Sequence, residues 1–334
     1  MNDDLHARCR RDLDDLPNSD PANGLNCLLV DWLADPEWVE TARQIPPCDR
    51  RQLLAELGAS LFDRDLGGYA AHVRDCTQTL DYVWPAADRE ELLRRHCQFL
   101  LAGLSDNLSF LDPAETQMAL DEVEVHGVDY LREAQRAGRG VLFLSVHQSH
   151  PAFGFKHRQF AGLPISGVAN LQHSPSDSLS MLLMGVSDRV RLLPISSAAV
   201  RQMLACLRGG ESVAIYADYL YPQSGAATSC LFGRSVTISS SAVAIAVRTG
   251  AAVIPVAVAR RWPIDAGGVD VRLFAPLSLA DLEPRHDATL PRAAVRFGVA
   301  IEGLIRCYPA QWRLWGTLEH RWAEARERKV ALLS

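Results

Sequence analysis

Two polar residues that each close an apolar run are where this chain could do chemistry. Residues 141–146 end on His147, and residues 213–217 end on Asp218. Short apolar runs bounded by turn residues read as buried strands, and in open α/β sheets ligands bind outside the carboxyl ends of the strands. If the two strands run parallel, imidazole and carboxylate emerge on one edge, where such a pair can take a proton from a hydroxyl or an amine. The alternative is that His147 caps a loop and that Asp218 caps a turn or pairs with a nearby arginine. His150, beside Pro151, either joins the chemistry or shapes the turn, and Ser149 between the two histidines is a candidate substrate contact. Arg234, in Phe232-Gly233-Arg234, is either an anion or oxyanion contact or a surface arginine.

The elements that must position these groups follow from periodicity. Residues 1–24 are acidic and polar, which predicts a loose arm. Residues 25–111 read as packing helices: Leu53, Leu54, Leu57 and Leu61 share a face, as do Leu93, Cys97, Leu100 and Leu104. His72 and His96 in this region read as solvated or core histidines rather than ligands. From 112 to 330 the texture becomes α/β. A strand near Val123, a helix over 127–137 stopped by Gly138 and the strand at 141–146 form a βαβ unit. A strand over 165–170, a polar loop and a helix over 176–185 follow. Ser196 or Ser197 caps a helix carrying Val200, Met203, Leu204 and Leu207, which Gly209-Gly210 ends before the strand at 213–217. Residues 219–241 read as a Gly- and Ser-rich connection, 242–249 as a helix, and 251–259 as a strand whose Pro255 suggests an edge or a bulge. After a loop-like stretch over 275–293, a last helix aligns Phe297, Ile301, Leu304, Ile305 and Tyr308. The tail tryptophans, Trp312, Trp315 and Trp322, read as packing and fold closure.

Composition narrows the class. With 334 residues, 48% of them hydrophobic, the chain can bury one large core or two modest ones. It has neither an apolar stretch of membrane-spanning length nor a secretion signal at its start, which points to the cytoplasm, or at most a membrane surface. The eight cysteines, at 9, 27, 48, 76, 97, 206, 230 and 307, are scattered, so neither a disulfide framework nor a metal site is expected. A net charge of −6 argues against a protein wrapped in nucleic acid, and no phosphate-cradling glycine motif occurs.

Four blocks in order carry a resemblance: Gly-Arg-Gly-Val-Leu-Phe-Leu-Ser-Val-His from Gly138, Leu-Arg-Gly-Gly-Glu-Ser-Val-Ala-Ile-Tyr-Ala-Asp from Leu207, Phe-Gly-Arg with Arg-Thr-Gly-Ala-Ala-Val-Ile-Pro-Val, and Tyr-Pro-Ala-Gln-Trp from Tyr308. From about Val123 to Trp322 the chain resembles the lipid A biosynthesis acyltransferases of the lysophospholipid acyltransferase superfamily. The resemblance implies a central mixed, mostly parallel sheet flanked by helices, behind an N-terminal helical region. It implies transfer of an acyl group from an acyl carrier protein or coenzyme A thioester to a hydroxyl, with the histidine of an His-x4-Asp/Glu motif as base and no metal or other cofactor.

The chain departs from that pattern. The motif acid falls on Ala152, and an arginine usual after the next strand falls near Asn170, which takes its place among the substrate contacts. Family members also tend to carry an N-terminal membrane anchor that this sequence lacks. Loss of an orienting carboxylate costs about four orders of magnitude in turnover in hydroxyl-activating triads. Asp218, Glu124 or Asp177 could replace the acid from another element, His150 could form a two-histidine arrangement, or the acceptor could be an amine or hydroxylamine that needs a weaker base. Three readings follow: an acyltransferase with His147 as base, Asp218 as orienting or structural carboxylate and Arg234 at the donor; a transferase taking an aminoacyl ester from transfer RNA to a small acceptor; and a non-catalytic relative that binds a lipid or a carrier.

Overall fold

Apolar runs buried on both faces need helices on both sides of a sheet, and the chain supplies them. The computed structural model describes residues 2–17, 19–80, 83–169, 190–219, 225–264, 267–282 and 289–331. Nine strands occur among them: β1 Val123–His126, β2 Val141–Ser145, β3 Ile165–Ala169, β4 Val190–Pro194, β5 Ser212–Tyr216, β6 Ala226–Leu231, β7 Arg234–Ser239, β8 Ala252–Arg260 and β9 Val269–Leu273. Seven form one sheet in the order β1-β9-β8-β2-β5-β3-β4. Every pairing in it is parallel except that of β8 with β9. This is the mixed, mostly parallel sheet flanked by helices that the resemblance implies.

Alternation along the central strands sorts their side chains into two cores. Leu142, Leu144, Val213 and Ile215 pack with helices Ser197–Arg208, Ser240–Thr249 and Thr289–Cys307. Val141, Phe143, Ala214 and Ile254 face the other way, toward Leu131, Phe153 and Phe160. Pro255 does not mark an edge or a bulge, because β8 lies between β2 and β9. It is tolerated where the ladders change over: pairing with β2 ends at Leu144–Pro255 and pairing with β9 begins at Val256. The connection expected over 219–241 contains a two-stranded hairpin, β6 with β7, turned by Phe232 and Gly233. Both turn residues have positive φ, 50° and 73°, as a two-residue hairpin requires. The helix expected over 176–185 lies outside the described residues.

The loose arm expected over residues 1–24 is a correction. Asn2–Asp14 is a helix, and Leu5, Cys9 and Leu13, spaced by four, are buried. The indole Nε1 of Trp38 donates to Cys9 Sγ at 3.3 Å. The helices that follow form a third core, with Leu54, Leu57, Leu61, Leu93, Cys97, Leu100 and Leu104 inside it. No helix among the described residues is long and apolar enough to cross a membrane.

Two buried contacts fix this helical layer to the rest. Arg260, at the end of β8, donates to both carboxylate oxygens of Asp106 at 2.9 and 3.0 Å, and to Glu122 at 3.0 Å. Burial opposes the Arg260 charge, but the two carboxylates outweigh it and hold its pKa above the ordinary value. His96, fully buried, bonds through Nδ1 to the carbonyl of Ala310 at 3.1 Å and through Nε2 to the hydroxyl of Tyr69 at 3.0 Å. An imidazole that donates to a carbonyl and accepts from a phenol is neutral.

Burial pushes His96 down to about 4, only partly countered by the Ala310 carbonyl. Its folded pKa thus lies below the unfolded value near 6.5, so the unfolded chain binds the extra proton between those limits. The stability tied to neutral His96 is complete above pH 6.5 and declines as the pH falls toward 4, by about 1.4 kcal/mol per unit. Urea unfolding across pH 7 to 4.5 should show a slope of at least this size, and His96→Asn should remove its share, leaving that of buried His150.

Candidate active site

The register of β2 and β5 builds the site. Ser145 pairs with Tyr216, so His147 and Asp218, each two residues on, leave the same rim side by side. His147 Nδ1 lies 2.7 Å from Asp218 Oδ1, and the backbone N–H of His147 donates to Oδ2 at 2.8 Å. Asp218 is wholly buried, whereas the His147 side chain is 30% exposed. Burial alone would raise the Asp218 pKa. The His147 imidazole, its backbone N–H and the Trp312 indole prevail and hold it below the ordinary carboxylate value. An ionised carboxylate at Nδ1 accepts a hydrogen bond from the ring N–H there and so keeps the Nε2 lone pair available, the arrangement a general base needs.

Sequence reasoning did not assign several neighbours of this pair. Trp312 Nε1 donates to Asp218 Oδ2 at 2.8 Å. The backbone N–H of Arg313 donates to the carbonyl of His147 at 2.8 Å, and its side-chain Nε to the carbonyl of Gln148 at 3.2 Å. The rings of Tyr216 and Tyr219 lie 4.8 and 6.1 Å from the imidazole, centroid to centroid. The Tyr-Pro-Ala-Gln-Trp block did signal that the segment mattered, although its tryptophan reads from sequence as packing.

The other candidates fall elsewhere. His150 is pushed down to about 3, chiefly by burial, and its ring stacks on Phe110 at 4.6 Å. Its Nδ1 accepts the backbone N–H of Ala152 at 3.2 Å, so this histidine shapes the turn as a neutral group. Ser149 donates its backbone N–H to Val258, while its buried hydroxyl has no partner among the described residues. Arg234 begins β7 and bonds to Glu319 at 3.0 Å and Thr79 at 3.2 Å, with its guanidinium over the Trp322 ring. Those partners are structural. Glu124 pairs with Arg261 at 2.9 Å. Its carboxylate approaches His126 and Asp270, but Arg261 is equally close to Asp270 and fills the place a cation would take. Asn170 and Asp177 lie outside the described residues.

Under Tyr216 lies a small apolar cavity of about 30 Å³, lined by Phe143, Pro151, Phe155, Phe160 and Val258. Gly154 also lines it, and a Cβ there would meet only Val271, at 3.9 Å.

A sheet rim that offers a carboxylate-oriented imidazole is suited to group transfer onto a nucleophile deprotonated in place. The comparisons name the transfer. The chain belongs to the bacterial lipid A biosynthesis acyltransferase family, whose model matches residues 39–323. Family membership places it among the acyltransferases. The match begins well before Val123, where the resemblance in sequence starts, and so takes in most of the helical layer. The comparison with curated proteins gives no match.

Ala152 is wholly buried, in the core shared with Phe110, Phe153 and Val271. A carboxylate there would be enclosed by apolar groups. Ala152→Asp, which writes the motif acid back, should therefore destabilise the fold by about 3 kcal/mol or more in urea unfolding and bring no gain in turnover.

Proposed function

We propose that the protein moves an acyl group from a thioester, carried on acyl carrier protein or coenzyme A, to a hydroxyl or amine, with His147 as general base and Asp218 as the carboxylate that orients it. The observation that carries this reading is the 2.7 Å contact between His147 Nδ1 and buried Asp218, in a side chain that is 30% exposed and whose Nε2 makes no hydrogen bond among the described residues. The acceptor gives its proton to Nε2 as its oxygen or nitrogen attacks the thioester carbonyl carbon. The tetrahedral adduct then collapses, the carbon–sulfur bond breaks, and the departing thiolate takes the proton from Nε2. Asp218 keeps its charge throughout and stabilises the imidazolium formed between the two steps.

Asp218 thus does the work that the family motif gives to the residue at position 152, reaching the same ring from the neighbouring strand.

Turnover of a lauroyl thioester on acyl carrier protein or coenzyme A, followed by thiol release, tests this. His147→Ala and Asp218→Asn should each lower the rate by about a hundredfold to ten-thousandfold. Turnover that survives His147→Ala would refute the base, and thioester binding without turnover in the unaltered protein would mark a binding relative.

A further inference from the structure

The dyad sits on two strand ends, and strand ends alone do not hold side chains in one orientation. Asp218 has two carboxylate oxygens, and His147 fills one with its ring N–H and the other with its backbone N–H. The indole of Trp312 adds a third donor, on Oδ2, from a residue 94 positions away in sequence. That indole is itself fully buried, edge-on to Trp315 with ring centroids 4.7 Å apart. It has no freedom to follow the carboxylate, so the carboxylate must conform to it. The next residue acts on the other member of the pair. Arg313 ties the carbonyl of His147 through its backbone and the carbonyl of Gln148 through its side chain.

We propose that Trp312 and Arg313 are the positioning residues of the dyad, the first fixing the carboxylate and the second the turn that bears the imidazole. The inference rests on the dyad reading given above. It also gives the helical layer a part in the chemistry, because that layer holds the segment on which the two residues stand. His96 bonds to Ala310 and His72 to Gly316, at 3.1 and 2.8 Å, on either side of the pair. The Arg313 guanidinium packs over Phe99, 5.4 Å from the ring centroid, and a Cβ at Gly103 would come within 3.1 Å of its Nη2. Among the described residues it has no carboxylate within ion-pair distance, and its hydrogen bond goes to the carbonyl of Gln148, while the Arg313 backbone N–H holds that of His147.

The sign of the Trp312 effect follows from charge. An indole N–H donating to Oδ2 spreads and stabilises the carboxylate charge, which weakens its pull on a protonated imidazole. Removing that donor leaves Asp218 a stronger partner for the imidazolium, so His147 should titrate at higher pH. A tryptophan that merely filled space would leave the titration where it was.

Histidine-selective nitrogen-15 NMR measures this without a substrate, the His147 signal being assigned by its loss in His147→Gln. Trp312→Phe keeps most of the packing and should raise the His147 midpoint by about half a unit. Arg313→Met keeps the length of the side chain but loses the Nε donor. It should lower kcat for the lauroyl thioester about tenfold and leave KM within about twofold, since it disturbs the base rather than the binding of substrate. An unchanged midpoint in a folded Trp312→Phe protein, or an unchanged kcat in Arg313→Met, overturns the inference while leaving the dyad intact. If Trp312→Phe does not fold, the Arg313→Met arm decides alone. If His147 in the unaltered protein carries its proton on Nε2, or its midpoint ignores Asp218→Asn, the dyad reading fails first.

Discussion

The in-register parallel pairing of β2 with β5 is the constraint on which the site depends. Side chains at equivalent positions of neighbouring parallel strands emerge at the same height, so a histidine and an aspartate that each follow a strand by two residues must meet at the rim. A slip of one residue would turn one of the two to the opposite face. Burial prevents the slip. Leu142, Leu144, Val213 and Ile215 belong to one core and Val141, Phe143 and Ala214 to the other, and a shifted register would exchange them. The energy that fixes the distance between the two groups is therefore stored in apolar packing far from the rim, and the 2.7 Å contact is its result.

A carboxylate delivered by a strand differs from one delivered by the turn that carries the histidine. A motif acid five residues after its histidine shares a short, locally folded segment with it. Here that position lies inside the apolar core as Ala152, at the start of the short helix Ala152–Phe155, and Asp218 instead meets the ring from the adjacent strand. The substitute is wholly buried, which raises the cost of its charge, and the three donors around it are the compensation that a buried carboxylate requires. An acid placed in this way needs support from outside its own strand, and it receives that support from the C-terminal segment.

Much of this was legible locally. The ends of the two apolar runs, the stripes on helices Ser197–Arg208 and Thr289–Cys307 and the parallel sheet all follow from periodicity and turn residues within windows of ten or so positions. The helix Asn2–Asp14 was missed because its buried Leu5, Cys9 and Leu13 are diluted among charges, although their spacing of four was there to be read. The hairpin of β6 and β7 was hidden by serine, threonine and glycine, which fit a connection as well as a strand on a half-exposed surface. Arg234 could be placed in a turn but not paired, since Glu319 and Thr79 lie 85 and 155 residues away.

Trp312 and Arg313 illustrate the limit most sharply. An aromatic residue in a C-terminal tail reads as core, and burial does confirm that part; what no window of sequence contains is that its one polar atom faces a carboxylate on β5. A buried indole must satisfy its N–H, and the number of buried acceptors it could reach is small. The useful question for a tail tryptophan is therefore which ionised group would otherwise be short of a donor. In this chain the answer is the one carboxylate at the sheet rim that has given its strongest bond to an imidazole. Asked in that form, the packing of the tail and the chemistry of the rim become one problem, and the helical layer that grips residues 310 and 316 belongs to its solution.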